Sequence, residues 1–170
     1  MYSDYYNMYN QYYNLGEQNY RSSDLQNNNE EIITLNQAIE LIRQSVGDEK
    51  EDEMFYDTII KQAPTEKEKE IIRTIRDDER KHNQILKRLY YEFTGQLLPA
   101  STLPNEINNN MNDYKSNLEK ALFGELDAVV KYRKIMGTMP SGNSYTLLMS
   151  IMTDELRHSS KYNFLIHNAK

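Results

Sequence analysis

Each of two similar segments, residues 78–82 and residues 154–158, begins with Asp-Glu and ends with His. The chain has three histidines in all, so two of them occur in this repeated pattern. A Glu and a His three residues apart lie on the same face of a helix, where both can bind one metal ion. The pattern therefore predicts a metal site rather than a solvated helix surface.

Four helices are predicted to position these side chains, because apolar residues recur at helical spacing in four stretches. The first three stretches run from Thr34 to about Ala63, from Thr65 to Gly95, and from about Ile107 to Gly137. The fourth follows Ser141-Gly142, and its apolar seam extends to Leu165. Thr34 with Gln37, and Thr65 with Glu68, have the spacing of capping boxes. The two short turns and the longer middle connection predict two helical hairpins joined by a crossover, in an all-α four-helix bundle.

The two halves of the chain match in one constant register, which pairs Glu49 with Glu125 and His82 with His158. This repeat predicts a pseudo-twofold bundle with equivalent ligands from each hairpin. Buried carboxylates must be neutralised, and four glutamates balance the charge of two divalent cations. The predicted metal ligands are Glu49, Glu79, His82, Glu125, Glu155 and His158. Imidazole and carboxylate ligands without thiolates suit iron or manganese, and zinc also fits them.

Three further residues fall on or beside the predicted apolar seam. Tyr56 and Tyr132 follow Glu49 and Glu125 by one heptad, so they are predicted either to donate hydrogen bonds to ligands or to fill the core. Glu53 is open to three interpretations: an extra ligand, an acid that supports the ligands, or a side chain tilted outward, which is the favoured one. His167 has no matching partner and is predicted to lie at the surface.

From about residue 34 to residue 168 the sequence resembles the rubrerythrin branch of the ferritin-like superfamily. The third predicted helix matches that branch's Glu-x-x-Ala-x-x-x-Tyr-like motif through Glu125, Ala128 and Tyr132, whereas the first helix has Asp52 in place of the alanine. Residues 154–158 also resemble the Asp-Glu-x-Arg-His signature of di-iron oxidases.

The resemblance implies a role for the aspartate that precedes each ligand glutamate. In the family this aspartate holds a ligand histidine by its second ring nitrogen, which fixes the tautomer. We expect Asp78 to hold His158, and Asp154 to hold His82, across the bundle. The resemblance also implies two iron ions as the cofactor, with manganese as the alternative and zinc in a purified sample.

The implied function is a redox protein that reduces hydrogen peroxide or activates dioxygen. Rubrerythrins usually add a rubredoxin domain with cysteine ligands, but this chain has no cysteine, so an external electron donor is expected. Manganese catalase-like activity, or ferroxidase activity with iron storage, would use the same residues. A homo-oligomer, most simply a dimer, is expected because exposed faces of four-helix bundles commonly pair.

Composition restricts the other classes of function. The net charge of −6 argues against binding to nucleic acid or to an anionic membrane. The absence of cysteine excludes disulfides, thiolate metal sites and thiol catalysis. No apolar run approaches the roughly 20 residues of a membrane helix and no secretory signal is evident, so a cytoplasmic protein is expected.

The segment 1–29 differs from the rest of the chain, which forms the predicted bundle domain 30–170. It holds seven of the fourteen tyrosines and seven asparagines. This composition predicts a disordered tail, but the closely spaced tyrosines would form an aromatic stripe on a helix, and that stripe could dock. Such a leader resembles those of some spore-associated proteins of Gram-positive bacteria. The structural alternative is therefore a spore-coat protein with coat contacts through the tail and a vestigial or auxiliary metal site.

Overall fold

A computed structural model describes residues 33–98 and 113–169, apart from the side chains of residues 49 and 50. It contains four helices: α1 (Leu35–Gln62), α2 (Glu66–Thr94), α3 (Tyr114–Met136) and α4 (Asn143–Asn168). The predicted all-α bundle of four helices is confirmed in the described part of the chain. The predicted tail 1–29, most of the predicted crossover and the side chain of Glu49 lie outside the described residues. Among the described helices, none is long and apolar enough to cross a membrane.

The first hairpin begins and ends its helices largely as predicted. Thr34 and Gln37 form a complete capping box at the start of α1. At α2, Thr65 accepts from the backbone of Glu68, which is one half of the predicted box, and the Glu68 carboxylate accepts from the Tyr114 hydroxyl. Gly95 ends α2 with a φ of 70°, the left-handed conformation that glycine adopts without strain.

The second hairpin starts later than the sequence predicts. The third helix is expected from about Ile107, whereas α3 begins at Tyr114, where the Asp113 side chain accepts from the backbone of Ser116 at 3.0 Å. This cap satisfies one of the amides left free by a helix start, which fixes the boundary. α4 follows Gly142, whose φ of 141° again requires glycine.

Contacts between α1 and α3 define the topology. Lys131 on α3 pairs with Asp48 near the middle of α1, and Asn117 near the start of α3 donates to Gln62 at the end of α1. The two helices are therefore antiparallel. α2 also runs antiparallel to α1, so the chain leaves α2 at one end of the bundle and enters α3 at the other, which confirms the predicted crossover connectivity.

Two apolar clusters fill the bundle, one towards each end. The first contains residues such as Ile42, Leu86, Tyr132, Ile135, Leu148 and Ile151, and the second contains residues such as Tyr56, Ile59, Ile75, Leu118, Tyr162 and Leu165. The ionisable residues of the predicted site come between these two clusters along each helix. The fold thus places charged groups in the dry middle of the bundle, where each needs a compensating partner.

Candidate metal centre

Four buried side chains from three helices converge in the middle of the bundle. Each offers one potential ligand atom, and these four atoms lie within 4.8 Å of one another. The group consists of Glu79 on α2, Glu125 on α3, and Glu155 and His158 on α4. Their helices bring them together because each lies on the apolar seam, with Glu155 and His158 one helical turn apart.

The imidazole of His158 faces this group through Nδ1. Its Nδ1 atom is 3.1 Å from Glu79 Oε1, 3.4 Å from Glu125 Oε2 and 3.7 Å from Glu155 Oε2. Among the described residues, none of these approaches has the direction of a hydrogen bond. The potential ligand atoms therefore surround a shared space, an arrangement that suits a cation bound between them.

The second repeated histidine lies beside the same two central glutamates. His82 Nδ1 is 2.8 Å from Glu79 Oε2 and 3.2 Å from Glu155 Oε1, and the two imidazole rings are 5.8 Å apart. Glu79 and Glu155 consequently lie between the histidines, where each can contact a cation on either side. Glu125 belongs to the His158 side, and the internal repeat assigns Glu49 to the His82 side.

The outer nitrogen of each histidine faces an aspartate on the opposite hairpin. His158 Nε2 is 3.3 Å from Asp78 Oδ2, and His82 Nε2 is 3.3 Å from Asp154 Oδ2. These are the two pairings expected from the sequence. Arg157 contacts both aspartates, at 2.7 Å from Asp78 and 2.9 Å from Asp154, and so links the two halves of the arrangement.

Without a cation, protons neutralise part of the cluster. Burial disfavours the charged form of His158, but the carboxylates of Glu125, Glu155 and Glu79 overcome it and raise the pKa of His158 to about 12. His82 is likewise desolvated, yet Glu155 and Glu79 raise its pKa to about 10. Burial and the neighbouring Glu155 carboxylate raise the pKa of Glu125 well above its ordinary value. Metal ions would have to displace these protons in order to bind.

The two predicted tyrosines are both buried. The Tyr56 hydroxyl donates to Glu125 Oε1 at 2.8 Å, so α1 supports a candidate ligand on α3. Tyr132 occupies the equivalent place in the other half and is fully buried. By the internal repeat its matching carboxylate is Glu49, whose side chain is not described, so that contact stays a prediction.

Glu53 and His167 lie away from the cluster. The Glu53 carboxylate pairs with the Arg80 guanidinium at 2.8 Å, and its side chain is 16% exposed. The Glu53 side chain therefore points towards the neighbouring α2 helix rather than fully outward. Its carboxylate is paired with the Arg80 guanidinium, which argues against Glu53 as an extra metal ligand. His167 is exposed in the last turn of α4.

Asp52 was not among the predicted site residues, yet the structure brings it close to them. Burial and the charges of Glu79 and Glu155, opposed by Lys131, raise the pKa of Asp52 to about 7. The sequence did contain the signal: Asp52 follows Glu49 by three positions and precedes Tyr56 by four, so it shares their helix face. It also replaces the alanine of the family motif.

The residues present fit a pair of divalent cations. The described donors are three carboxylates and two imidazoles, all oxygen or nitrogen ligands of the kind that iron and manganese accept. Each imidazole keeps Nδ1 towards the carboxylates while an aspartate accepts from Nε2, the arrangement that orients a metal-binding histidine. Carboxylate and histidine ligands from facing helices form the core of carboxylate-bridged dimetal bundles, and the described residues are compatible with that class.

Comparison with known protein families agrees with this class. A family model described as a ferritin-like domain matches residues 7–168, which is most of the chain. The protein therefore belongs to the ferritin-like domain family. Searches among curated proteins and among solved structures gave no match.

Proposed function

We propose that this protein is a di-iron redox protein that acts on hydrogen peroxide or dioxygen, as rubrerythrins do. The observation that carries the proposal is the buried cluster of Glu79, Glu125, Glu155 and His158, whose donor atoms lie within 4.8 Å of one another. Two adjacent metal ions, when bound, can supply two electrons to an O–O bond. Membership of the ferritin-like family supports the same chemistry.

The chain's own residues would do three things for this reaction. Glu79 and Glu155 lie between the two histidines and would hold both cations. Asp78 and Asp154 would keep each imidazole in the tautomer that leaves Nδ1 available. The apolar clusters above and below the site would exclude water from both ends of it, which strengthens the electrostatic interactions inside.

The electrons would come from a separate donor. The chain lacks the cysteines with which a rubredoxin-type iron site is built. A peroxidase of this kind would therefore need an external reductant for more than one turnover. This requirement separates it from a manganese catalase-like protein, in which one peroxide molecule reduces what another has oxidised.

Reconstitution separately with iron(II) and with manganese(II) tests the proposal. We expect about two iron ions per chain. Without a reductant, hydrogen peroxide consumption should stop after about one molecule per pair of iron(II) ions, because the pair supplies two electrons. Catalase-like activity would instead evolve dioxygen from the manganese form without a reductant. Ferroxidase and storage activity would oxidise many equivalents of iron(II) per chain. Failure to bind either metal near two per chain would contradict all three activities.

A pair of variants ties the result to this cluster. Glu155→Gln removes a central carboxylate, and we expect it to lower the metal content to about one ion per chain or less. Glu119→Gln on the exposed face of α3 is the matched control and should bind metal like the original protein. Unchanged metal content in the Glu155→Gln variant would show that the ions bind elsewhere.

A further inference from the structure

We propose that the outer face of the α3–α4 hairpin is the interface through which two copies of this chain form a twofold dimer. The face consists of seven apolar residues: Phe123, Leu126 and Val130 on α3, and Tyr145, Met149, Met152 and Leu156 on α4. Six of them are among the exposed large hydrophobic residues of the described chain, with 37–63% of each residue exposed. Met152, between them on α4, is partly buried.

The contacts to the first hairpin show that these residues share one surface. On α3, Asn117 reaches α1, and it lies on the opposite side of the helix from Leu126, nine positions later. On α4, Lys161 reaches α2, and it lies on the opposite side of the helix from Met152, nine positions earlier. Since both apolar stripes face away from the first hairpin, they meet along the outer seam where α3 packs against α4.

The α4 stripe has helical regularity. Tyr145, Met149, Met152 and Leu156 are spaced by four, three and four positions, the pattern of a helix face that packs against another helix. α4 already buries a different stripe, which includes Leu148, Ile151 and Tyr162, inside the bundle. Within the described residues, no part of the same chain covers this second apolar stripe.

The internal repeat provides a direct comparison. The α2 residues that match the four α4 positions are Lys69, Arg73, Arg76 and Arg80, so the equivalent stripe of α2 is entirely basic. Those side chains pair with neighbouring acids, as in the contacts of Arg73 with Glu66 and of Arg76 with Asp57. The same architecture therefore carries an ordinary charged surface on one hairpin and an apolar one on the other.

The size of the face matches that of a dimer interface. A large apolar side chain presents on the order of 150–250 Å² when fully exposed, so six side chains exposed by 37–63% present about 500 Å². A stable dimer buries about 800 Å² per partner, and about 65% of an interface core is apolar. Such an interface therefore needs about 500 Å² of apolar surface from each chain, which is the area of this face. A twofold axis would place each stripe against its own copy, so that apolar surface meets apolar surface.

The oligomeric state of the full chain, and of two variants, tests this. We expect sedimentation velocity at micromolar concentration to give twice the mass of one chain. Met149→Glu and Leu156→Glu each place a like charge at the twofold interface, and we expect each to raise the dimer dissociation constant by at least about 100-fold. Both variants should keep their helix content by circular dichroism. Met149→Arg and Leu156→Arg, which copy Arg73 and Arg80, repeat the test if glutamate disturbs the helix.

Phe164→Glu is the matched control. Phe164 is on α4 and is 46% exposed, like Met149 and Leu156, but its ring lies by Lys67 of α2, off the proposed face. This variant should remain a dimer. A monomeric original protein, dimeric Glu variants, or a monomeric Phe164→Glu variant would each overturn the proposal. It would also be overturned if the chain dimerised only after deletion of the segment 1–29, since the N-terminal segment would then be the occupant of the face.

Discussion

His158 Nε2 lies 3.3 Å from Asp78 Oδ2, across the bundle from one hairpin to the other. Asp78 also accepts from Lys81 at 2.8 Å and from Arg157 at 2.7 Å. Burial alone would raise the pKa of Asp78, but these hydrogen bonds lower it to about 2. The aspartate is therefore ionised at all physiological pH values and can hold the His158 ring with Nδ1 facing the carboxylates.

Asp78→Asn should weaken metal binding by about 10–100-fold, because an amide can present either its oxygen or its nitrogen to the imidazole and no longer fixes the tautomer. The affinity is measured by competition with a chelator of known strength. Asp154→Asn should have a smaller effect, since the Asp154 side chain is 28% exposed whereas that of Asp78 is 12% exposed. Asp77→Asn, one position away and paired with arginines on the surface, is the control and should bind metal normally.

Tyr56→Phe should also weaken metal binding, by about 10-fold or more, because it removes the hydrogen bond that orients the Glu125 carboxylate. Tyr114→Phe is a close match for this change, since the Tyr114 hydroxyl also donates to a glutamate at 2.8 Å but lies away from the cluster, at Glu68. Both variants should lose about 1 kcal/mol of stability in chemical denaturation. Equal metal affinities for the two variants would show that Tyr56 serves the core and not the site.

The residues of the site were predictable because they break the apolar pattern. Glu79, His82, Glu155 and His158 occupy core positions of their helices, and the repeat placed them in two equivalent sets. The helix bounds of the first hairpin were predictable for a similar reason, since threonine caps and Gly95 mark them in the sequence.

Other features depend on contacts between distant segments, which periodicity does not encode. Glu68 has the spacing of a capping box, but it accepts from Tyr114 on a helix of the other hairpin. Glu53 has the spacing of a seam residue, yet it turns to Arg80 on the next helix. The sequence shows only that Asp52 replaces the alanine of a motif. Its raised pKa results from burial and from the carboxylates of Glu79 and Glu155 on other helices, which the sequence does not show.

Asp52→Asn should stabilise the metal-free protein at alkaline pH. The pKa of Asp52 is raised from 3.8 to about 7 by burial and by nearby carboxylates, so its ionised form destabilises the fold. Above pH 7 the Asp52 carboxylate is ionised in both the folded and the unfolded protein. Its burial then lowers the free energy of unfolding by up to about 4 kcal/mol. As the pH falls from 7 to about 4, the folded state takes up a proton that the unfolded state does not, and the cost disappears. The gain from the variant should therefore be large at pH 8 and near zero at pH 4.

Urea denaturation of the metal-free protein at both pH values measures this difference. Asp127→Asn, at an exposed position of α3, is the control and should change stability little at either pH. Bound divalent cations would compensate the Asp52 charge, so the gain should shrink when metal is present. If Asp52→Asn lowers stability at pH 8, then the ionised carboxylate makes favourable contacts, and the pKa of Asp52 must lie below its ordinary value.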